Sequence, residues 1–311
     1  MSLSAGPAGG PVLVVGSVAL DSVETPFGRV EGALGGSACY ASVAAAFFSP
    51  VRMVAVVGED FSYENVAQLA HHDVDLAGLR RVPGETFRWR GYYDYDLNQA
   101  HTISTELNVF EGFRPDLPEH YRHSPYAFLA NIDPELQLSV LDQLVRPRLV
   151  ACDTMNYWIE RARDRVLEVL ARVDIALMND AEARQLCEEP NLITAARRIL
   201  NYGPGIVIIK KGEHGALMLS RESYFSAPSY PLEEVRDPTG AGDTFAGGFL
   251  GYLARTGQTD DEALRRAVIC GAVLASFTVE DFSLRRLFRL TQEEIVERYD
   301  EVLTMIRCGA L

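Results

Sequence analysis

Short apolar runs rich in β-branched residues recur along the chain, and each ends at a polar or glycine-containing segment. VLVVG (12–16) is followed by Asp21, VAVVG (54–58) by Glu59 and Asp60, and AFLAN (127–131) by Asp133. Likewise LVAC (149–152) leads into Asp153, IALM (175–178) into Asn179 and Asp180, and IVIIK (206–210) into Lys211 and Gly212. Between them, amphipathic stretches at 61–71, 135–145, 160–171, 181–187 and 192–201 predict helices. Buried strands alternating with helices predict an α/β fold, a three-layer sandwich whose mostly parallel central sheet is covered on both faces, because parallel strands need crossovers. Ligands of such sheets bind beyond the carboxyl ends of the strands. The residues after each run are therefore where chemistry is expected.

Two stretches break this rhythm. Residues 18–34 and 85–110 are rich in Thr, Val, Tyr, Phe and Trp, carry turn residues and show no helical period. They predict antiparallel strands of a small sheet beside the main domain. Leaving from strand ends near the expected site, this sheet is placed to act as a lid or as a dimer-packing flap, two uses that are compatible. There is no internal repeat or low-complexity linker, so residues 1–10 predict a flexible leader and 11–311 a single domain.

Composition narrows the partners. With 48% hydrophobic and 23% charged residues, 311 residues are enough to bury a large core. Acidic side chains number 43 against 29 Lys and Arg, a formal charge of −14, with no basic block. Nucleic acid and anionic membrane surfaces are thus excluded as partners, and any phosphate must be held locally. No apolar run approaches the roughly 18 to 20 residues of a membrane helix, and the start lacks a signal-peptide profile, so a cytoplasmic location is expected. Five widely spaced cysteines, odd in number, read as free core thiols.

The segment richest in chemistry is DPTGAGDTFAGGF, Asp237 to Phe249. Phe245, Phe249, Leu250 and Leu253 have the i, i+4, i+5, i+8 spacing of a helix with one buried face, which puts Gly240, Ala241 and Gly242 in a turn at its N-terminus. Exposed amides and the positive end of the helix dipole make that turn a site for anions. Asp243, in the first helical turn, can take a proton from a substrate hydroxyl. The competing reading is a simple helix cap; the glycines on both sides, the second acid Asp237 and the adjacent Thr244 favour the base. A base beside an anion hole suits phosphoryl transfer. Walker loops, the GxGxxG fingerprint and the GxSxG elbow are all absent from the sequence.

This segment closely resembles the second signature of the ribokinase-like (PfkB-type) carbohydrate kinases, and Gly35-Gly36-Ser37-Ala38-Cys39-Tyr40-Ala41 resembles the first. The resemblance extends in order and spacing over nearly the whole chain. It implies a ribokinase-like domain in which Asp243 is the catalytic base and the amides of Gly240, Ala241 and Gly242 form the anion hole. It further implies that Asn179 and Glu182, an Asn-x-x-Glu element, serve the ATP phosphates, with Glu182 also serving Mg²⁺ through water. Mg²⁺ is commonly held in this way by one carboxylate, waters and phosphates. Lys211, Gly212 and Gly215 are similar to the turn that runs along the ATP phosphates, although Lys211 also reads as a solvated strand-end lysine. On the acceptor side the resemblance places Asp21, Gly35 and Gly36 against substrate hydroxyls, with Asn131 a further candidate. Asp237 and Thr239 match residues that hold a monovalent cation such as K⁺ in many relatives, but the downstream half of that site, near 275–283, is not recognisable. Tyr40 replaces the usual asparagine and reads either as an aromatic wall of the substrate pocket or as a core tyrosine. Asp153-Thr154-Met155-Asn156-Tyr157-Trp158 departs from the usual Asp-x-Asn-x-Arg, so ribose specificity is not implied.

The expected activity is an ATP-dependent phosphotransferase acting on a hydroxyl of a small sugar or sugar derivative. A nucleoside or inositol kinase is the alternative within enzymes, and a non-catalytic ligand-binding regulator the alternative outside them. Exposed aromatic lid strands need covering, which predicts a homodimer through the lid.

Overall fold

The structure, a computed structural model, describes residues 9–307. Its strands are β1 (Val12–Val15), β2 (Ala19–Thr25), β3 (Gly28–Gly35), β4 (Val51–Val57), β5 (Val74–Arg81), β6 (Phe87–Tyr93), β7 (Ala100–Glu106), β8 (Tyr126–Leu129), β9 (Leu149–Cys152), β10 (Ile175–Asn179), β11 (Ile206–Lys210), β12 (Ala216–Ser220) and β13 (Tyr224–Ala227). The α-helices are α1 (Ser37–Ala46), α2 (Tyr63–His71), α3 (Glu119–Arg122), α4 (Pro134–Gln143), α5 (Asn156–Arg161), α6 (Arg163–Leu170), α7 (Asp180–Cys187), α8 (Leu192–Tyr202), α9 (Ala241–Thr256), α10 (Asp261–Thr278) and α11 (Gln292–Met305).

One sheet has the order β13-β12-β11-β10-β9-β8-β1-β4-β5. All neighbours from β11 to β5 pair in parallel, and the pairings β11–β12 and β12–β13 at one edge are antiparallel, so β12 alone runs against the rest. Central strands such as VLVV of β1 and LVAC of β9 are buried on every residue, as strands covered on both faces must be. Alternate residues feed two cores. Val12, Val14, Phe128, Leu177 and Ile208 pack toward α1, α9 and α10, while Leu13, Val15, Leu129, Met178 and Ile209 pack toward α4 to α8. The chain runs outward from β1 through β4 to β5, then returns to the other side of β1 at β8. That reversal opens the crevice in which such folds hold ligands.

The lid is the second sheet, in the order β3-β2-β6-β7. The expected strand segments form, but the sheet is mixed rather than antiparallel, because β2 and β6 pair in parallel. The reason is connectivity. β2 follows the end of β1 and β6 follows the end of β5, two parallel strands of the main sheet, so both enter the lid in the same direction. Thr86, fully buried, anchors its base: its hydroxyl accepts from the Gly58 amide at 3.0 Å and donates to Asp60 at 2.7 Å. Of the expected leader, residues 1–8 lie outside the described residues. Gly9 and Gly10 are held by the body, through Gly9 N–H to Ala254 O at 3.0 Å and Ser49 Oγ to Gly10 O at 2.8 Å. Among the described residues no helix is long and apolar enough to cross a membrane.

Candidate active site

Among the described residues six α-helices are capped by side chains: Ser62 on α2, Asp133 on α4, Asn179 on α7, Asn191 on α8, Asp260 on α10 and Thr291 on α11. Of the helices without such a cap, two start at a left-handed glycine. α1 begins at Gly36 (φ +92°) and α9 at Gly240 (φ +78°), and neither has a side-chain cap. Only glycine adopts these left-handed conformations at little cost. α9 otherwise carries a glycine stripe that brings it against α1, where a Cβ on Gly247 would lie 2.2 Å from the Ala41 carbonyl oxygen and one on Gly251 2.8 Å from that of Ala45. The N-terminus of α9 is thereby set at the sheet's carboxyl edge. Of the three amides expected in the anion hole, that of Ala241 donates to the Pro238 carbonyl at 3.1 Å, so a ligand there shares or displaces this turn bond.

Gly242 is a glycine for a reason the sequence does not reveal. Its φ is not left-handed; instead a Cβ there would sit 2.9 Å from Lys210 Nζ. Lys210 ends β11 and forms an ion pair with Asp153, whose other oxygen accepts from the Thr154 amide at 2.8 Å. The two side chains are 16% and 5% exposed. Asp243 stands in the field of this pair. Its carboxyl is pushed up to about 7, first by loss of solvent and then by the Asp153 charge, against the pull of Lys210. Glu182, also buried, is raised by the same two causes, again opposed by Lys210. Burial alone would lower the Lys210 ammonium, but Asp153 and then Glu182 reverse this and hold it above its ordinary value. The structure thus brings Asp243 and Glu182 into one cluster and adds Asp153 and Lys210. Asn179 and Glu182 are also a capping box: Asn179 Oδ1 accepts from Glu182 N at 2.8 Å, and Glu182 Oε2 from Asn179 N at 2.6 Å. The capping reading of this pair is therefore realised. Lys211 lies outside the cluster, in the turn closed by its amide and the Gly215 carbonyl at 2.8 Å. The lid reaches this turn, since a Cβ on Gly212 would be 2.8 Å from Asn98 Oδ1.

On the other side of α9, Asp21 lies over the paired glycines. Gly35 leaves no room for a side chain, as its Cβ would be 1.9 Å from Asp21 Oδ2. Burial pushes the Asp21 carboxyl up to about 7; the Gly36 amide lowers it, and the charges of Asp237 and Asp243 raise it. The Tyr40 ring covers Gly240 so closely that a Cβ there would lie 2.4 Å from it. Its phenol is pushed well above the ordinary value by burial, then by Asp237 and Asp21, so it is a hydrogen-bond donor. Asp237 accepts from the amides of Thr239 at 2.9 Å and Ser283 at 3.4 Å, and the Val279 carbonyl accepts from Arg236 N at 2.8 Å. The 279–283 loop, unrecognisable in the sequence, therefore wraps Asp237, which in turn holds the Thr239 amide. Tyr93 of the lid meets Thr239 at 3.4 Å between hydroxyl oxygens. Thr244 faces inward, accepting from Thr278 at 2.9 Å, and so ties α9 to α10. Asn131 is committed elsewhere: its side chain donates to Met155 Sδ at 3.1 Å and accepts from Trp158 Nε1 at 3.1 Å.

Three carboxylates, Asp153, Glu182 and Asp243, meet one ammonium, so full ionisation leaves an excess of two negative charges. That excess, beside an uncapped helix N-terminus, fits a divalent cation arriving with an anion. Among the described residues no three such side chains are arranged to hold an ion alone.

Comparisons with known proteins agree with this geometry. Residues 141–284 match the family profile described as pfkB family carbohydrate kinase. A cytidine kinase of Thermococcus kodakarensis is 31% identical over 259 residues, covering 82% of this chain and 92% of that protein. A ribokinase of Lactococcus lactis is 28% identical over 273 residues, covering 83% and 88%. Among solved structures, a nucleoside kinase of Burkholderia thailandensis in complex with inosine superposes with a TM-score of 0.78 at 20% identity, covering 94% of this chain and 98% of that one. The nucleoside kinase of Methanocaldococcus jannaschii, an archaeal member of the ribokinase family, gives 0.75 at 22% identity, covering 96% and 100%.

Proposed function

The chain belongs to the pfkB family of carbohydrate kinases, an ATP-using family, and on that premise we propose that Asp243 is the base in transfer of the γ-phosphoryl group of ATP to a hydroxyl of a small sugar moiety. The observation that carries this reading is Asp243 in the first turn of a glycine-started helix, its carboxyl poised near neutrality beside Lys210. The hydroxyl proton passes to Asp243 as the acceptor oxygen bonds to phosphorus, and the bridging bond to the β-phosphate breaks, its electron pair leaving with ADP. Gly240, Ala241 and Gly242 direct amides at the transferring group. Glu182 and Asn179 would serve a Mg²⁺ ion arriving with the nucleotide, which would supply charge neutralisation on the phosphates. The turn from Lys211 through Gly212 to Gly215 borders the nucleotide. Asp21 and the Gly35–Gly36 backbone grip acceptor hydroxyls, and the lid excludes water. Asp237, wrapped by the 279–283 loop, and Thr239 are the proposed seat of a monovalent cation such as K⁺. Asn131 is left to support the pocket wall through Trp158.

A nucleoside acceptor is the second reading. It is favoured by the 31% identity to a cytidine kinase; the Tyr40 ring, packed against Gly240 and buried with the hydrophobic core, takes the core reading and offers no face to a base. The experiment is ADP release with Mg·ATP across a panel of nucleosides, pentoses, hexoses and inositol. At least one acceptor is expected to stimulate release well above the acceptor-free rate. Tight acceptor binding with no ADP formed would instead establish a binding protein. We also propose a cytosolic homodimer joined through the lid, where Tyr92, Tyr93 and Ile103 line a hollow of about 250 Å³.

A further inference from the structure

Of the 29 basic residues in the chain only two are lysines, Lys210 and Lys211, and both stand at the end of β11. Every other cationic position is arginine. An ammonium is a compact point charge on a thin stem, whereas a guanidinium is a broad planar fork. At position 210 the difference is decisive, because the side chain threads past Gly242 with Cε 3.6 Å and Nζ 2.9 Å from where a Cβ would be. Strand alternation sends Lys210 to the same face as Ile208, the face that packs toward α9, and so under the helix N-terminus. Its only ion-pair partner among the described residues is Asp153, fixed in turn by the Thr154 amide.

We propose that Lys210 is a catalytic cation, whose ammonium contacts the γ-phosphoryl group of ATP from beneath Gly242 while Asp153 aims it. The inference rests on the phosphotransferase reading above. It assigns to Lys210 the contact that the family pattern offered only to its neighbour Lys211. Without an ammonium at this point, a phosphoryl group entering the hole would face Asp153, Glu182 and Asp243 with no protein cation between them. With it, negative charge spreading over the equatorial phosphoryl oxygens has a fixed partner in a site of low polarity. The proton of the accepting hydroxyl still goes to Asp243. Lys210 forms no covalent bond and stays protonated throughout.

The test compares binding of ADP and of β,γ-imido-ATP, each with Mg²⁺, by calorimetry. Wild-type protein is expected to favour the imido-ATP, and Lys210→Met to lose about tenfold or more in that affinity while ADP binding changes less than about threefold, the size expected for one charge-assisted hydrogen bond. Should removal of the ammonium leave buried Asp153 too unfavourable for folding, Lys210→Met/Asp153→Asn removes both charges and is expected to give the same loss. With only two lysines, selective labelling yields two ε-methylene signals, and the one missing from the Lys210→Met spectrum is expected to shift when imido-ATP binds wild-type protein. A folded variant that keeps the wild-type preference, or a Lys210 signal unmoved by imido-ATP, overturns the proposal. Failure of wild-type protein to bind either nucleotide would overturn the phosphotransferase reading itself.

Discussion

At the ends of β9, β10 and β11 the charged side chains are withdrawn from water against a sheet buried on both faces; in the lid, β7 exposes nearly every residue, and Phe27 and Ile103 are each 58% exposed. The contrast separates two tasks. Phosphoryl transfer needs groups held to within fractions of an ångström, and buried, mutually charged side chains on rigid strands provide that. Enclosing an acceptor needs an element that reaches over the cleft, and a small sheet anchored through Thr86 and Asp60 is placed to do so. Asp21 is where the two meet, being a lid residue that is itself buried and senses Asp237 and Asp243.

The sharpest break falls at the rigid end. Asp243→Asn is expected to lower kcat by about 10²- to 10⁴-fold, the usual worth of a positioned base, while ATP affinity stays within about threefold. Stopped assays and calorimetry check this, and a variant with near-normal kcat removes Asp243 from the chemistry. The pH profile carries the same signature. Burial raises Asp243 to about 7, and only its ionised form accepts a proton, so kcat/KM is expected to fall as pH drops below about 7. Stability is expected to move the other way. Asp21 and Asp243 hold protons in the folded chain that the unfolded chain releases above about pH 4, so their contribution to stability is greatest at low pH and is lost as pH rises toward 7. Loss of activity at pH 6 without loss of melting temperature distinguishes titration of the base from acid unfolding.

The same contrast explains what was legible before the structure. Runs such as LVAC and IVIIK announce strands because burial on both faces leaves no polar alternation to confuse with another element. The DPTGAGDTF turn points to the proposed base and anion hole because glycines, an acid and a helical apolar face coincide within a few residues. Lys210 was hidden because a lysine pair before a glycine looks like any solvated strand end; the available signals were strand alternation, which aims 210 inward, and the scarcity of lysine elsewhere. Asp153 stood at a strand end but drew notice only as a departure from the usual motif. The parallel pairing of β2 with β6 was beyond reach, since β propensity fixes neither the partner of a strand nor its direction. The wrapping of Asp237 by Val279 and Ser283 depends on contacts more than forty residues apart in the chain.

A milder change tests the junction. Gly35→Ala places a methyl where Asp21 Oδ2 now lies, at 1.9 Å, so the carboxylate must swing away from the Gly36 amide. Forced overpacking of this kind costs about 1–3 kcal/mol, which predicts an acceptor KM higher by about fivefold to 150-fold. The ATP KM is expected to change little, because the Lys210–Asp153–Asp243 cluster is carried by other elements. Steady-state kinetics with each substrate varied in turn separates the two. Equal damage to both would mean that lid and sheet act as one unit and that the division drawn between them is wrong.

The smallest effect on catalysis is expected at the outer face of the lid. Phe27, Tyr92 and Ile103 present apolar surface around the hollow bordered by Glu24, Thr25 and Pro26, and a second lid would remove that surface from water. The flanking Glu24 makes the patch unfavourable for a further negative charge. Ile103→Glu adds one, and in an interface it must be buried unpaired or repel its copy across the two-fold axis. The dimer dissociation constant is therefore expected to rise by tenfold or more, about 1.4 kcal/mol, while kcat per chain changes less than about threefold because the Ile103 side chain is mostly exposed on β7. Sedimentation at micromolar concentration reads the first quantity and the kinase assay the second. Wild-type protein that sediments only as a monomer, or a variant that still dimerises at wild-type strength, places the lid's outer face outside any interface and leaves the small sheet with the acceptor as its sole partner.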